Sequence, residues 1–132
     1  MQIKYLYMAA KEASRKIDKR SFLVGAIGIR SDGVVVRSRN EITQVPMPSA
    51  HAEARLTKKL DKNSEVYVAR VLRSGDWAMA KPCVHCLKSL AKKKVKRVFY
   101  TISPSEYGVI DDVLLYLKKP SEPIKDVLCY CR

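Results

Sequence analysis

A chain of 132 residues, 47% apolar and 30% charged, is long enough for one hydrophobic core and too apolar to stay disordered, so a single domain over residues 1–132 is expected. No apolar run reaches the roughly 18 residues of a membrane helix, and MQIKYLYMAAKEASRK at the start mixes charges into its apolar residues where a signal peptide would be continuous; the expectation is a cytoplasmic protein with no membrane partner. The 26 basic and 13 acidic residues leave a net charge of +13, which excludes an acidic chain and favours anionic partners such as nucleotide phosphates or nucleic acid.

Ile3, Leu6, Tyr7, Ala10, Ala13 and Ile17 recur at helical spacing with Lys and Arg between them, which predicts an amphipathic helix over residues 2–18. FLVGAIGIR and VVVRSRN flank Ser31-Asp32-Gly33 and read as a hairpin closed by an Asp-Gly turn, with Asn40 just beyond its second strand. Pro46 and Pro48 make 41–48 a loop. Ser49 then caps a helix AHAEARLTKKL, which puts His51 and Glu53 at a helix start. EVYVARVL reads as a buried strand and RSGDWAMAK as a loop. Pro82 suits the first position of a helix CVHCLKSLAKKK, where its missing N–H costs nothing. VKRVFYTI is a strand, SPSEYG a turn, and IDDVLLYLKK a helix with Asp111 and Asp112 in its first turn. Strands alternating with helices in the second half predict an α/β domain with one mixed sheet covered by helices.

Two helix starts carry metal-ligand residues. Cys83 and Cys86 are three apart, share a helix face, and lie where the positive end of the helix favours thiolate. His51 adds a nitrogen from the other start, and three protein ligands are the number that leaves a zinc ion one open position for water. His51 and Glu53 stand about 200° apart on an ideal helix, so they converge only on a pocket lying off the helix end. A bare C-x-x-C also suits a redox pair, and a structural zinc could be completed by Cys129 and Cys131, which otherwise read as plain thiols. His85 is either an alternative ligand, a substrate contact or an outward-pointing side chain, and Trp77 either stacks on a base or packs. Lys81, Lys88, Lys92, Lys93, Lys94, Lys96 and Arg97 fall in one stretch without an acid, which suits a solvated helix face or a phosphate-binding one.

His51-Ala52-Glu53, then 28 residues, then Pro82-Cys83-Val84-His85-Cys86 resembles the zinc signature of the cytidine and deoxycytidylate deaminases, a group that also embraces tRNA adenosine deaminases and polynucleotide cytidine deaminases. The resemblance extends over about residues 3–102. Phe22-Leu23-Val24-Gly25-Ala26 is similar to the family's first strand, which lines the base pocket, and Asn40 falls where the family places an asparagine on the sugar. Glu41 departs from the pattern, standing next to Asn40 where the family's acid comes two residues after it. The resemblance implies a three-layer α/β/α sandwich, a homo-oligomer, and a Zn2+ cofactor held by His51, Cys83 and Cys86. It also implies Glu53 as proton shuttle and Asn40, Phe22 and Ala52 at the substrate. The implied reaction is hydrolysis at C4 of cytosine or C6 of adenine. The first expectation for the substrate is cytosine in a free nucleoside or nucleotide, and the alternative is a base within single-stranded DNA or RNA.

Overall fold

The structure is a computed structural model that describes residues 3–13, 22–39, 56–72, 74–82 and 84–118. Helix α1 (Ile3–Ala13) buries Leu6, Ala9, Ala10 and Ala13. Its apolar stripe is made mostly of alanine, so the helix axis can come very close to the sheet. Gly25 completes that approach: a Cβ there would run into the backbone of Ala9 and Ala13. Of the helix expected over 2–18, residues 2 and 14–18 lie outside the described residues.

Strands β1 (Phe22–Ile29) and β2 (Val35–Arg39) form the predicted antiparallel hairpin, from Ile29↔Val35 to Gly25↔Arg39. Gly33 takes a φ of 87° at the turn, and Asp32 Oδ1 accepts the Val34 N–H at 3.0 Å. Strand β3 (Glu65–Leu72) pairs antiparallel with β1 along its whole length. Helix α2 (Val84–Lys92) then crosses to β5 (Arg97–Ser103), which runs parallel to β3 from Glu65↔Arg97 to Val68↔Tyr100. One parallel pair among antiparallel ones makes the mixed sheet, in the order β2-β1-β3-β5 with a further strand, β6 (Glu106–Ile110), beyond β5.

Three local expectations change. The segment read as a loop before the cysteines contains a short strand, β4 (Trp77–Ala78), paired antiparallel with β3 at Arg70↔Ala78 and Val71↔Trp77. Pro82 precedes the first residue of α2 by two positions, so it lies outside the helix rather than opening it. The segment read as a turn holds β6 (Glu106–Ile110), an edge strand antiparallel to β5, and only Pro104 and Ser105 turn the chain. The last helix is correspondingly shorter, α3 (Val113–Lys118), and Asp112 caps it by accepting the Leu115 N–H at 3.0 Å.

The sheet is covered on both faces. On one, Leu6, Ala9, Ala10 and Ala13 pack on Ile27, Tyr67, Ala69, Val71 and Phe99. Tyr67 stacks on Phe99 with ring centroids 4.6 Å apart, and burial pushes its phenol well above the usual range, with Glu65 beside it adding to the effect. On the other face Val24, Ala26, Val66, Val68 and Val98 pack under Leu56, Leu60, Leu87, Leu90 and Val113. Among the described residues no helix is long and apolar enough to cross a membrane.

Candidate active site

The β3–α2–β5 crossover decides which end of the sheet can carry chemistry. In such a unit the helix runs antiparallel to the two parallel strands, so the N-terminus of α2 comes to the carboxyl ends of β3 and β5, where open α/β sheets bind their ligands. The registers bring other elements to the same end. Phe22 pairs with Leu72 at the end of β3, and Arg39, the residue before Asn40, pairs with Gly25 three positions along β1. The start of β1, the ends of β2, β3 and β5, and the entry to α2 therefore converge on one rim.

Cys86 is the metal-ligand candidate whose side chain is described. It is fully buried, and with buried Leu87 and Leu90 it forms the inward stripe of α2, while Val84 and Lys88 face outward. His51, Ala52, Glu53, Asn40, Cys83, Cys129 and Cys131 lie outside the described residues, as do the side chains of Phe22 and His85. Among the described residues no three His, Cys, Asp or Glu side chains cluster as a metal site. The donor set itself, two thiolates and an imidazole, is that of a zinc ion, and a buried Cys86 on the inward face of a helix starting at this rim fits it.

Trp77 is settled as a packing residue. It lies edge-on to Tyr7 of α1, centroids 4.9 Å apart, on the face of the sheet opposite α2, so it does not stack on a base at the entry to α2. Lys81, two residues before Cys83, holds its ammonium 5.0 Å from the Tyr116 ring centre on α3. Tyr100 packs nearby; burial raises its phenol pKa and the Lys81 charge opposes the rise.

Sequence reasoning missed Thr101. It is fully buried where β3 and β5 part, and its hydroxyl donates to the Ala78 carbonyl at 2.7 Å and accepts the Arg70 N–H at 3.1 Å. Its own carbonyl accepts the Ala80 N–H at 2.9 Å. The signal, a threonine inside an apolar strand, is too common to read without the pairing of the strands.

Residues 1–102 match the family model described as the cytidine and deoxycytidylate deaminase zinc-binding region. The chain belongs to this family. It is a deaminase domain of the cytidine deaminase superfamily, with the α/β sandwich expected from the motifs. A tRNA-specific adenosine deaminase from Aquifex aeolicus is 25% identical over 125 residues, covering 89% of this chain and 76% of that protein. One from Rickettsia felis is 26% identical over 111 residues, covering 82% and 75%. Among solved structures, cytidine deaminase from Burkholderia pseudomallei superposes with a TM-score of 0.60 at 18% identity, covering 84% of this chain and 92% of that one. Cytidine deaminase from Mycobacterium leprae gives 0.52 at 20% identity, covering 89% and 97%. These likenesses support the fold.

Proposed function

We propose that this deaminase domain, residues 1–132, hydrolyses the exocyclic amine of adenine within an RNA strand, with His51, Cys83 and Cys86 holding zinc and Glu53 moving the protons. The observation that carries the choice of substrate is the exposed row of lysines on and after α2, Lys88, Lys92, Lys93, Lys94 and Lys96, which starts one turn from the proposed site and suits several phosphates. The similarity to tRNA-specific adenosine deaminases supports it. A second reading, cytosine in a free nucleoside or nucleotide, is favoured by the Phe22–Ala26 strand and by Asn40 directly after β2.

Bound zinc would lower the pKa of a water molecule so that hydroxide is available near neutral pH. Glu53 accepts the water proton, delivers it to the ring nitrogen next to the attacked carbon, then takes the second proton from the hydroxyl now bonded to that carbon and passes it to the leaving amine. Water and the amino base become the oxo base and ammonia. One carboxylate can do this in turn because each step returns it to the state the next one needs. Asn40, Phe22 and Ala52 orient the nucleoside in this reading. The protein functions as a homo-oligomer in the same proposal, which light scattering would check.

The deciding experiment is a mass-shift and ammonia-release screen over adenosine, cytidine, CMP, dCMP, a tRNA and short single-stranded RNA and DNA. Turnover of RNA adenine with inert cytidine and dCMP is the expected result. Turnover of cytidine or dCMP with inert RNA would replace the first reading with the second.

A further inference from the structure

We propose that Thr101 is a positioning residue for the proposed metal site, acting as a hydroxyl clasp that fixes the segment leading into Cys83. The proposal rests on the reading of Cys83 and Cys86 as zinc ligands. The parallel pairing of β3 with β5 ends at Val68↔Tyr100, and beyond it β4 takes the vacated edge of β3 at Arg70↔Ala78 and Val71↔Trp77. Thr101 stands in the fork between the three strands, with none of its surface exposed. In place of the ladder that longer strands would have made, its side chain bridges the Arg70 N–H at 3.1 Å and the Ala78 carbonyl at 2.7 Å. Its carbonyl takes the Ala80 N–H at 2.9 Å.

The clasp therefore holds Ala78 and Ala80, and little chain remains between it and the ligands. Cys83 follows Ala80 by three residues and α2 begins at Val84. Ala80 is itself fully buried in the core that includes Leu87 and Leu90 of α2. A shift of Ala78–Ala80 is passed to the helix entry with only Lys81 and Pro82 to absorb it, and the proline has little freedom. A valine at 101 would keep the shape and leave the Arg70 N–H and Ala78 carbonyl without the hydroxyl. Removing groups that orient metal ligands commonly costs about 10- to 100-fold in metal affinity.

The test compares the zinc-loaded wild type with Thr101→Val, Thr101→Ala and Thr101→Ser, following the rate of zinc transfer to a chromophoric chelator. The visible spectrum after substitution of zinc by Co2+ reports ligand geometry in the same proteins. The expected result is transfer about tenfold faster in Val and Ala, with altered thiolate–cobalt bands, and near-wild-type rate and spectrum in Ser. Ala and Ser both lack the methyl and differ by the hydroxyl, so this pair carries the contrast even where Val does not fold. Equal release from Ala and Ser, with equal cobalt spectra, would overturn the clasp while leaving the zinc site intact. A wild type that binds no zinc would overturn both, and the two failures are told apart at the first measurement.

Discussion

Gly25→Ala probes the docking of α1 on β1. A Cβ at this position would stand 2.5 Å from the Ala13 nitrogen and collide with the Ala9 carbonyl oxygen. Both obstacles are helix backbone, so no side-chain rotation relieves them. Bringing the Ala13 contact to an ordinary 3.4 Å moves α1 away from β1 by about 1 Å. A gap of this size forfeits roughly a quarter to a half of each dispersion contact, and a buried leucine makes on the order of 40–60 contacts of ~0.1–0.2 kcal/mol. Leu6, fully buried on α1, would lose roughly 1–6 kcal/mol alone. With Ala9, Ala10 and Ala13 lifted too, the variant is expected to lose about 3 kcal/mol or more, near the top of the range for overpacking. The control is Gly28→Ala, whose new Cβ would meet side-chain methyls, Leu60 Cδ2 at 2.5 Å and Val36 Cγ2 at 3.0 Å, which can repack. Its expected cost is about 1–2 kcal/mol. Urea unfolding at one fixed zinc concentration measures both, because metal bound to the native state adds stability by mass action. At about 4 °C per kcal/mol for a chain of this length, Gly25→Ala should melt ~12 °C lower. A Gly25→Ala protein within about 0.5 kcal/mol of wild type, or one less damaged than Gly28→Ala, would refute the account of how α1 docks.

The wild type is expected to carry one zinc per chain, and His51→Ala, Cys83→Ala or Cys86→Ala to lose metal and stability together; elemental analysis of purified protein checks this, and full zinc in Cys83→Ala would contradict it. Glu53→Gln should keep zinc and fold while turnover falls by roughly 10²- to 10⁴-fold, as measured by ammonia release, because the amide cannot take and return the proton. If Lys88, Lys92, Lys93, Lys94 and Lys96, all exposed, each neutralise a phosphate, log affinity for a single-stranded RNA should fall against log salt with a slope near about −3.5, against a shallow slope for CMP. Asp61 is held at a pKa of about 2 by the Ser64 hydroxyl first, then the Ser31 N–H and hydroxyl. A folded-state pKa below the ordinary value of 3.8 stabilises the fold above that value and ceases to do so as pH falls to about 2. Asp61→Asn should therefore lower the urea midpoint at neutral pH, and the difference from wild type should shrink as the pH is brought below 4 toward 2.

What could be read from the sequence and what could not follow one physical division. Elements with a local signal were legible: α1 from its apolar stripe, the β1–β2 hairpin from Asp32-Gly33, and β3 from its valine-rich apolar run, interrupted only by Arg70 after Glu65. Elements defined by a partner were not. β6 buries only Ile110 well and leaves Glu106, Tyr107 and Val109 exposed, so it has no period to find and exists as a strand because β5 offers an open edge. β4 is two residues long and is a strand only because β3 outruns its parallel pairing with β5. The site divides the same way. The donor residues and their spacing were plain, since ligand chemistry admits few residue types. The shared rim depends on registers such as Phe22↔Leu72 and Gly25↔Arg39, and Thr101 matters through three bonds to residues 21 to 31 positions away.

The placement of the charge bears directly on the size of the substrate. Lys81 precedes the proposed ligands, but its ammonium is turned onto Tyr116, and Lys59 on the hairpin side donates to the Arg37 carbonyl at 2.7 Å. Among the described residues, Lys4, Lys11, Lys58 and Lys62 are exposed elsewhere, and the exposed lysines that follow the proposed ligands in the chain, Lys88, Lys92, Lys93, Lys94 and Lys96, are on α2 and just after it. Nine residues at 1.5 Å each put Lys92, the end of α2, about 13 Å from the helix start where Cys83 would bind metal. A single nucleotide seated there has its phosphate far short of Lys92, Lys93 and Lys94. A stacked strand advances roughly 3.4 Å per nucleotide, so about four nucleotides cover the same distance. For a mononucleotide, then, most of this lysine row could act only by long-range attraction, which salt screens beyond about 10 Å. For a strand running along α2 the same row would supply one contact after another, and that is the physical argument behind the proposed polymeric substrate.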